Sequence, residues 1–178
     1  MASQDPIPRT SLRRAGRLAR LLVVTWLVLG TWAATAFLAV PRGLLVSFSQ
    51  DDATAMAWLR QHAPTSDVVA NDGFADAGIW LPYKAGLRIL EYRGFGNAGS
   101  AADRQLIQEN VAGLDRNHAA AAAACRLNVR YVYRGAQNSA WQERQFPPLE
   151  ALRASGGLEE VFSSGEAAVF RTRLEPLC

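Results

Sequence analysis

Residues 53–64 read Ala53-Thr54-Ala55-Met56-Ala57-Trp58-Leu59-Arg60-Gln61-His62-Ala63-Pro64. After two more residues come Asp67-Val68-Val69-Ala70-Asn71, then the loop Asp72-Gly73-Phe74-Ala75-Asp76-Ala77-Gly78-Ile79-Trp80, and then Leu87-Arg88-Ile89-Leu90-Glu91. Met56, Leu59 and Ala63 recur at helical spacing and Pro64 stops the run, which predicts a helix there with Asp51 or Asp52 as its cap. The short apolar runs bounded by turn formers predict strands over 67–71 and 87–91. Strand, covering segment and second strand are the repeating step of an α/β sheet.

Downstream, further layers are predicted on that step. Residues 79–85 suit a helix broken at Pro82 and closed by Gly86. Ser100 and Asp103 have capping-box spacing and open a helix through Leu106, Ile107, Val111 and Leu114. Asp115 or Asn117 restarts a helix across the alanines at 119–124. Residues 129–134 form the third predicted strand, with Val129, Tyr131 and Tyr133 on one face. Phe146-Pro147-Pro148 leads into a helix that ends at Gly156-Gly157. Runs at 159–163 and 167–172, joined across Ser164-Gly165, read as an antiparallel hairpin. The expected fold is one α/β domain over 51–174, with a mixed, mostly parallel sheet covered by helices and ending in that hairpin, and a tail over 175–178.

Upstream the composition changes. The net charge of +3 is carried by Arg9, Arg13, Arg14, Arg17, Arg20 and Arg42; from Gly43 onward, 13 basic residues face 15 acidic ones, a net of −2. A basic stripe for nucleic acid is therefore excluded from the domain. Residues 21–40 carry no charged side chain, and twenty residues at about 1.5 Å each match the thickness of a bilayer's hydrocarbon core. The organisation expected is a basic cytoplasmic tail over 1–17, a transmembrane helix over 18–40, a juxtamembrane linker over 41–50 and the domain beyond it. In that linker, Leu44-Leu45-Val46-Ser47-Phe48 grazes the membrane surface. Arginines concentrated before the span place the N-terminus inside and the domain outside. The expected location is a bacterial inner (cytoplasmic) membrane crossed once, with the domain periplasmic or extracellular. Ala34-Thr35-Ala36 makes a cleaved signal peptide the competing reading; the length of the apolar run favours an uncleaved anchor.

Cys125, Cys178, His62 and His118 have no zinc-ligand spacing. A disulfide between the cysteines fits an oxidising compartment, but the residues alone favour Cys125 as a packed helix residue and Cys178 as a frayed end. Asn71, Asp72, Asp76 and Glu91 fall at or after strand C-termini, the edge where open α/β sheets bind ligands. Asp72, Asp76 and Glu91 are the candidate ligands for a divalent cation, which prefers oxygen donors; turn formation and helix capping are the plainer use of the same residues. Beyond that cation no cofactor is evident. Arg93 and Arg134 leave strands at this edge and suit an anionic group. Gly94, Gly96 and Gly99 make a GxGxxG pattern before Ser100, which in a dinucleotide fold would cradle a phosphate. No acidic residue lies where the ribose contact belongs, so a surface loop with a capped helix is favoured. Trp58, Trp80 and Trp141 are candidates for stacking on a sugar, against core packing.

The runs Ala55-Met56-Ala57-Trp58-Leu59-Arg60-Gln61-His62-Ala63-Pro64, Asp67-Val68-Val69-Ala70-Asn71-Asp72, Gly78-Ile79-Trp80-Leu81-Pro82-Tyr83-Lys84-Ala85-Gly86-Leu87-Arg88-Ile89-Leu90 and Leu127-Asn128-Val129-Arg130-Tyr131-Val132-Tyr133-Arg134-Gly135 carry a resemblance. Their order is similar to that in the soluble C-terminal domain of the C superfamily of glycosyltransferases. These are multi-spanning, lipid-phosphosugar-using enzymes that include oligosaccharyltransferase catalytic subunits. The resemblance covers about residues 51–135. It implies an extracytoplasmic α/β domain behind a last membrane span, with a lipid-linked sugar and a multi-spanning membrane protein as partners. Where oligosaccharyltransferases carry WWDYG, this chain has Asn71-Asp72-Gly73-Phe74-Ala75-Asp76-Ala77-Gly78-Ile79-Trp80. The family's catalytic acids lie on membrane-side loops, so no catalytic residue carries over. The function expected is an anchored, accessory or substrate-positioning domain. The alternatives are an independent enzyme using the carboxylate edge with a metal, and a purely structural partner-binding domain.

Overall fold

The computed structural model describes residues 20, 22–31, 48–73, 76–92, 98–136, 146–174 and 178. The chain falls into two compact units, Met1–Gly43 and Leu44–Cys178. In the first, residues 22–31 are helical and their large apolar side chains, Leu22 to Leu29 with Trp26, are exposed. The Thr31 hydroxyl donates back to the carbonyls of Leu27 and Val28 at 2.8 and 2.9 Å. No helix among the described residues is long and apolar enough to cross a membrane. Most of the expected span over 18–40, the tail over 1–17 and most of the linker over 41–50 lie outside the described residues.

The second unit is built in chain order from α1 (Gln50–His62), β1 (Val68–Asn71), a 3-10 turn (Ala77–Trp80), α2 (Leu81–Ala85), β2 (Arg88–Ile89), α3 (Ala101–Asn110), a second 3-10 turn (Val111–Gly113), α4 (His118–Arg126), β3 (Val129–Arg134), α5 (Leu149–Arg153), β4 (Leu158–Ser164) and β5 (Ala167–Thr172). The cap of α1 is Ser49 and not Asp51 or Asp52. Ser49 Oγ accepts from the Asp52 N–H at 3.1 Å, while the Asp52 carboxylate accepts from the Ser49 N–H at 2.8 Å, a reciprocal capping box. Pro82 sits in the first turn of α2, where its missing N–H costs nothing, and Gly86 closes that helix at φ 72°. Ser100 caps α3 as its spacing predicts, and of the two candidates for α4, Asp115 and Asn117, it is Asn117 that caps.

The five strands form one sheet in the order β2-β1-β3-β5-β4. β1 pairs in parallel with both β2 and β3, while β5 lies antiparallel between β3 and β4. The sheet is therefore mixed with as many antiparallel as parallel pairings, and β5 alone runs against the other strands. The two strands on which the fold reading turns, at 67–71 and 129–134, are direct neighbours.

Side chains of the sheet point into two cores. On one face Val68, Ala70, Val132, Ala168 and Phe170 pack against α3, α4 and α5; on the other Val69, Tyr131, Tyr133 and Val169 pack against α1 and α2. Val129 belongs to the first core and the two tyrosines to the second, so the three do not share a face. The reason is a bulge. Val68 pairs with Val129 but Val69 with Tyr131, and the extra residue, Arg130, flips the alternation. Within the alanine run, Ala120, Ala121, Ala123 and Ala124 are buried and Ala119 and Ala122 exposed, so small side chains seat α4 closely.

Cys125 and Cys178 are joined by a disulfide across a Cα–Cα distance of 5.6 Å. This corrects the packed-residue and frayed-end reading. Nothing in a separation of 53 residues shows that α4 brings the two together.

Candidate functional site

The chain leaving β1 turns toward β2 on one flank, and the chain leaving β3 goes to α5 and β4 on the other. The C-terminal ends of β1 and β3 thus flank a topological switch point, the usual ligand crevice of such sheets. Three buried aspartates belong to this end of the sheet: Asp72 directly after β1, and Asp76 of the following loop, which meets Asp52 of α1 beside Gly135.

Each aspartate holds backbone. Asp76 Oδ1 accepts from the Gly78 N–H at 2.8 Å and Oδ2 from the Gly135 N–H at 2.7 Å. Asp52 Oδ1 accepts from the Tyr133 hydroxyl at 2.5 Å and from the Ala136 N–H at 3.0 Å, and its Oδ2 is held by Ser49. Asp72 Oδ2 accepts from the Phe146 N–H at 3.1 Å. Burying a carboxylate is costly unless donors replace its water, and each charged hydrogen bond contributes about 1.5–3 kcal/mol. Gly135 is required at this point. A Cβ on it would stand 2.8 Å from Asp76 Cβ and 3.0 Å from Asp52 Oδ1, closer than packing allows. Together the aspartates fix both ends of the connection between β3 and α5, at 135–136 and at 146.

Asn71 extends the sheet. Its amide oxygen accepts from the Glu91 N–H at 3.0 Å and its amide nitrogen donates to the Glu91 carbonyl at 2.9 Å, so a side chain continues the ladder beyond the two-residue β2. Glu91 itself is ion-paired with Arg104 of α3 at 3.1 Å, and Arg104 also donates to the Gly99 carbonyl at 2.6 Å. Gln108 Nε2 donates to the Asn71 carbonyl at 2.7 Å, while its Oε1 is buried without a partner among the described residues.

The sequence-predicted residues therefore divide. Asp76 comes together with Asp52, which sequence reasoning assigned only to a helix cap, while Asp72 holds the Phe146 N–H. Glu91 stands with Asn71 and Arg104. Among the described residues no group of three or more His, Cys, Asp or Glu side chains is placed to hold a metal ion. Arg134 donates to the Glu166 carbonyl at 3.5 Å. Arg93, Gly94, Gly96 and Trp141 lie outside the described residues. Of the glycine pattern, Gly99 adopts φ 77° and Ser100 caps α3, its Oγ accepting from the Asp103 N–H at 3.1 Å. The Arg126 hydrogen bond holds the Asp103 carboxyl below its ordinary value, tying α3 to α4. Trp58 stacks on His62 and Phe162 with centroids 4.3 and 5.6 Å apart, and Trp80 is 39% exposed. Tyr133 was missed. The signal available was a tyrosine ending a buried strand, whose hydroxyl needs a partner, followed closely by Gly135.

No curated protein matches this sequence. Among solved structures, the C-terminal globular domain of an oligosaccharyltransferase from Archaeoglobus fulgidus is similar at 14% identity and a TM-score of 0.44, covering 71% of this chain and 99% of that one. A family profile matches nearly the whole length, residues 7–173, and the chain belongs to that family, the family of unknown function DUF6541.

Proposed function

We propose that this chain is a membrane-anchored, extracytoplasmic domain that positions an acceptor or a lipid-linked sugar for a lipid-phosphosugar glycosyltransferase, a multi-spanning partner that supplies the catalytic centre. The observation that carries this reading is the use of the edge carboxylates. Asp52, Asp72 and Asp76 accept backbone N–H groups from residues 135, 136 and 146, and so hold main chain in place of polarising a substrate. The resemblance of residues 51–135 to the soluble domain of C-superfamily enzymes supplies the substrate class. The uncharged run over 21–40 supplies the anchor. A disulfide between Cys125 and Cys178 supports an oxidising compartment outside the cytoplasm.

The test uses the full chain in lipid nanodiscs with a polyprenyl-phosphate hexose, with and without Mg²⁺. Saturable binding of the lipid-linked sugar without turnover supports the reading. Metal-dependent turnover by the chain alone, lost in a folded Asp72→Ala variant, overturns it in favour of an independent enzyme. Orientation is checked separately in intact cells treated with a membrane-impermeant reductant and thiol reagent. Labelling of Cys125 and Cys178 is expected, and labelling only after lysis refutes the topology.

A further inference from the structure

We infer that the surface formed by Phe48, Arg60, Tyr83 and Lys84, with the exposed Trp80 three residues before Tyr83, docks on the headgroups of an anionic bilayer; this rests on the membrane-anchor reading above. Trp80 and Tyr83 are the large exposed hydrophobic side chains among the described residues of the second unit, Tyr83 at 81%. Their company is specific. Lys84 Nζ stands 5.1 Å from the centroid of the Phe48 ring and 5.6 Å from that of Tyr83. Beside it lies a mainly apolar cavity of about 170 Å³, lined by Phe48, Ala53, Met56, Ala57, Arg60 and Lys84. An apolar floor rimmed by two cations and flanked by amphipathic rings matches a phospholipid headgroup, whose phosphate is anionic and whose glycerol and upper acyl carbons are not.

Chain length selects the bilayer over other occupants. Phe48 follows Val40, the end of the uncharged run, by eight residues. At about 3.3–3.6 Å each, these reach at most about 29 Å. The patch is therefore tethered within about 29 Å of any bilayer that holds the run, where even weak headgroup affinity becomes intramolecular. The charge is local too, since the chain from Gly43 onward is net acidic while this patch carries Arg60 and Lys84.

The experiment reconstitutes the full chain into phosphatidylcholine vesicles with or without phosphatidylglycerol. A nitroxide is placed at Tyr83→Cys or, on α4 in the opposite helical layer, at Ala122→Cys. Because Cys125 and Cys178 are bonded to each other, only the introduced thiol takes the label. Relaxation by oxygen reports lipid contact and relaxation by a water-soluble nickel chelate reports solvent. Expected is oxygen-dominated relaxation at position 83 in anionic vesicles, with nickel dominating at position 122. Each cation near such a surface strengthens association about fivefold, so Arg60→Gln with Lys84→Gln lowers the docked-to-free ratio about 25-fold. If the chain floats with the vesicles but position 83 relaxes like position 122, the docking surface is refuted and the anchor stands. If position 83 is shielded from both agents, a protein covers the patch and the inference fails. If the chain does not float with vesicles, the anchor reading falls and this inference with it.

Discussion

Replacing Asp76 with Ala removes one carboxylate that serves two N–H groups, those of Gly78 at 2.8 Å and Gly135 at 2.7 Å. Asp76 is 1% exposed, so water does not reach the freed donors without local opening. A buried donor left unsatisfied costs about 1–3 kcal/mol. Two such donors, partly relieved by relaxation, give an expected loss of about 3 kcal/mol, a large share of the roughly 5–15 kcal/mol that holds a domain together. Asp76→Asn keeps one acceptor oxygen but turns an NH₂ toward the other donor, so it should retain about half of that stability. The assay is urea unfolding of the chain in mild detergent, followed by tryptophan fluorescence. With a slope of about 1–3 kcal/mol/M, the midpoint of Asp76→Ala should fall by at least about 1 M at unchanged slope. A midpoint within error of the parent would refute the clamp. So would a parent midpoint that rises with Mg²⁺ or Ca²⁺ while that of the variant does not respond, because the carboxylate would then be a ligand.

Reduction of the bond between Cys125 and Cys178 opens a 53-residue loop, for which chain entropy sets an upper bound of about 4 kcal/mol; urea midpoints with and without a phosphine reductant measure it, and equal midpoints would refute the contribution. The Arg153 hydrogen bond holds the Glu160 carboxyl below its ordinary value. A carboxyl depressed by folding contributes stability above its unfolded value and loses it as pH falls through the lowered folded value. Acidification from neutral pH should therefore reduce the melting temperature of the parent more than that of Arg153→Gln. Curves that run parallel would show that the pair contributes nothing.

Much of the fold was legible because short strands here are bounded by residues with one local meaning. Gly86 at positive φ, Pro82 in a first turn, Ser100 and Asn117 as caps all act within a few residues of themselves. The face of Val129 was not legible, since the bulge at Arg130 arises in the pairing of β3 with β1, not in β3 itself. The site divides along the same line. That Asp72 and Asp76 reach one edge follows from strand polarity. That they grip residues 146 and 135, with Asp52 and Tyr133 beside them, depends on contacts separated by 59 to 84 positions in the chain. The mark such a contact leaves in the sequence is a glycine, Gly135, whose missing Cβ makes room for two carboxylates.

The place of β5 sets the order in which the molecule can be completed. Of the five described strands this one comes last in the chain, yet it lies inside the sheet, bonded to β3 on one side and β4 on the other, while α1 rests against both strands of the hairpin. Until residue 167 has left the ribosome, β3 is an open edge and the first helix lacks part of its seat. A nascent chain in that state offers unpaired backbone to any neighbour. A chain truncated shortly before residue 167 should thus be a species that holdase chaperones retain and proteases remove, whereas one that continues through Thr172 lets the sheet seal itself.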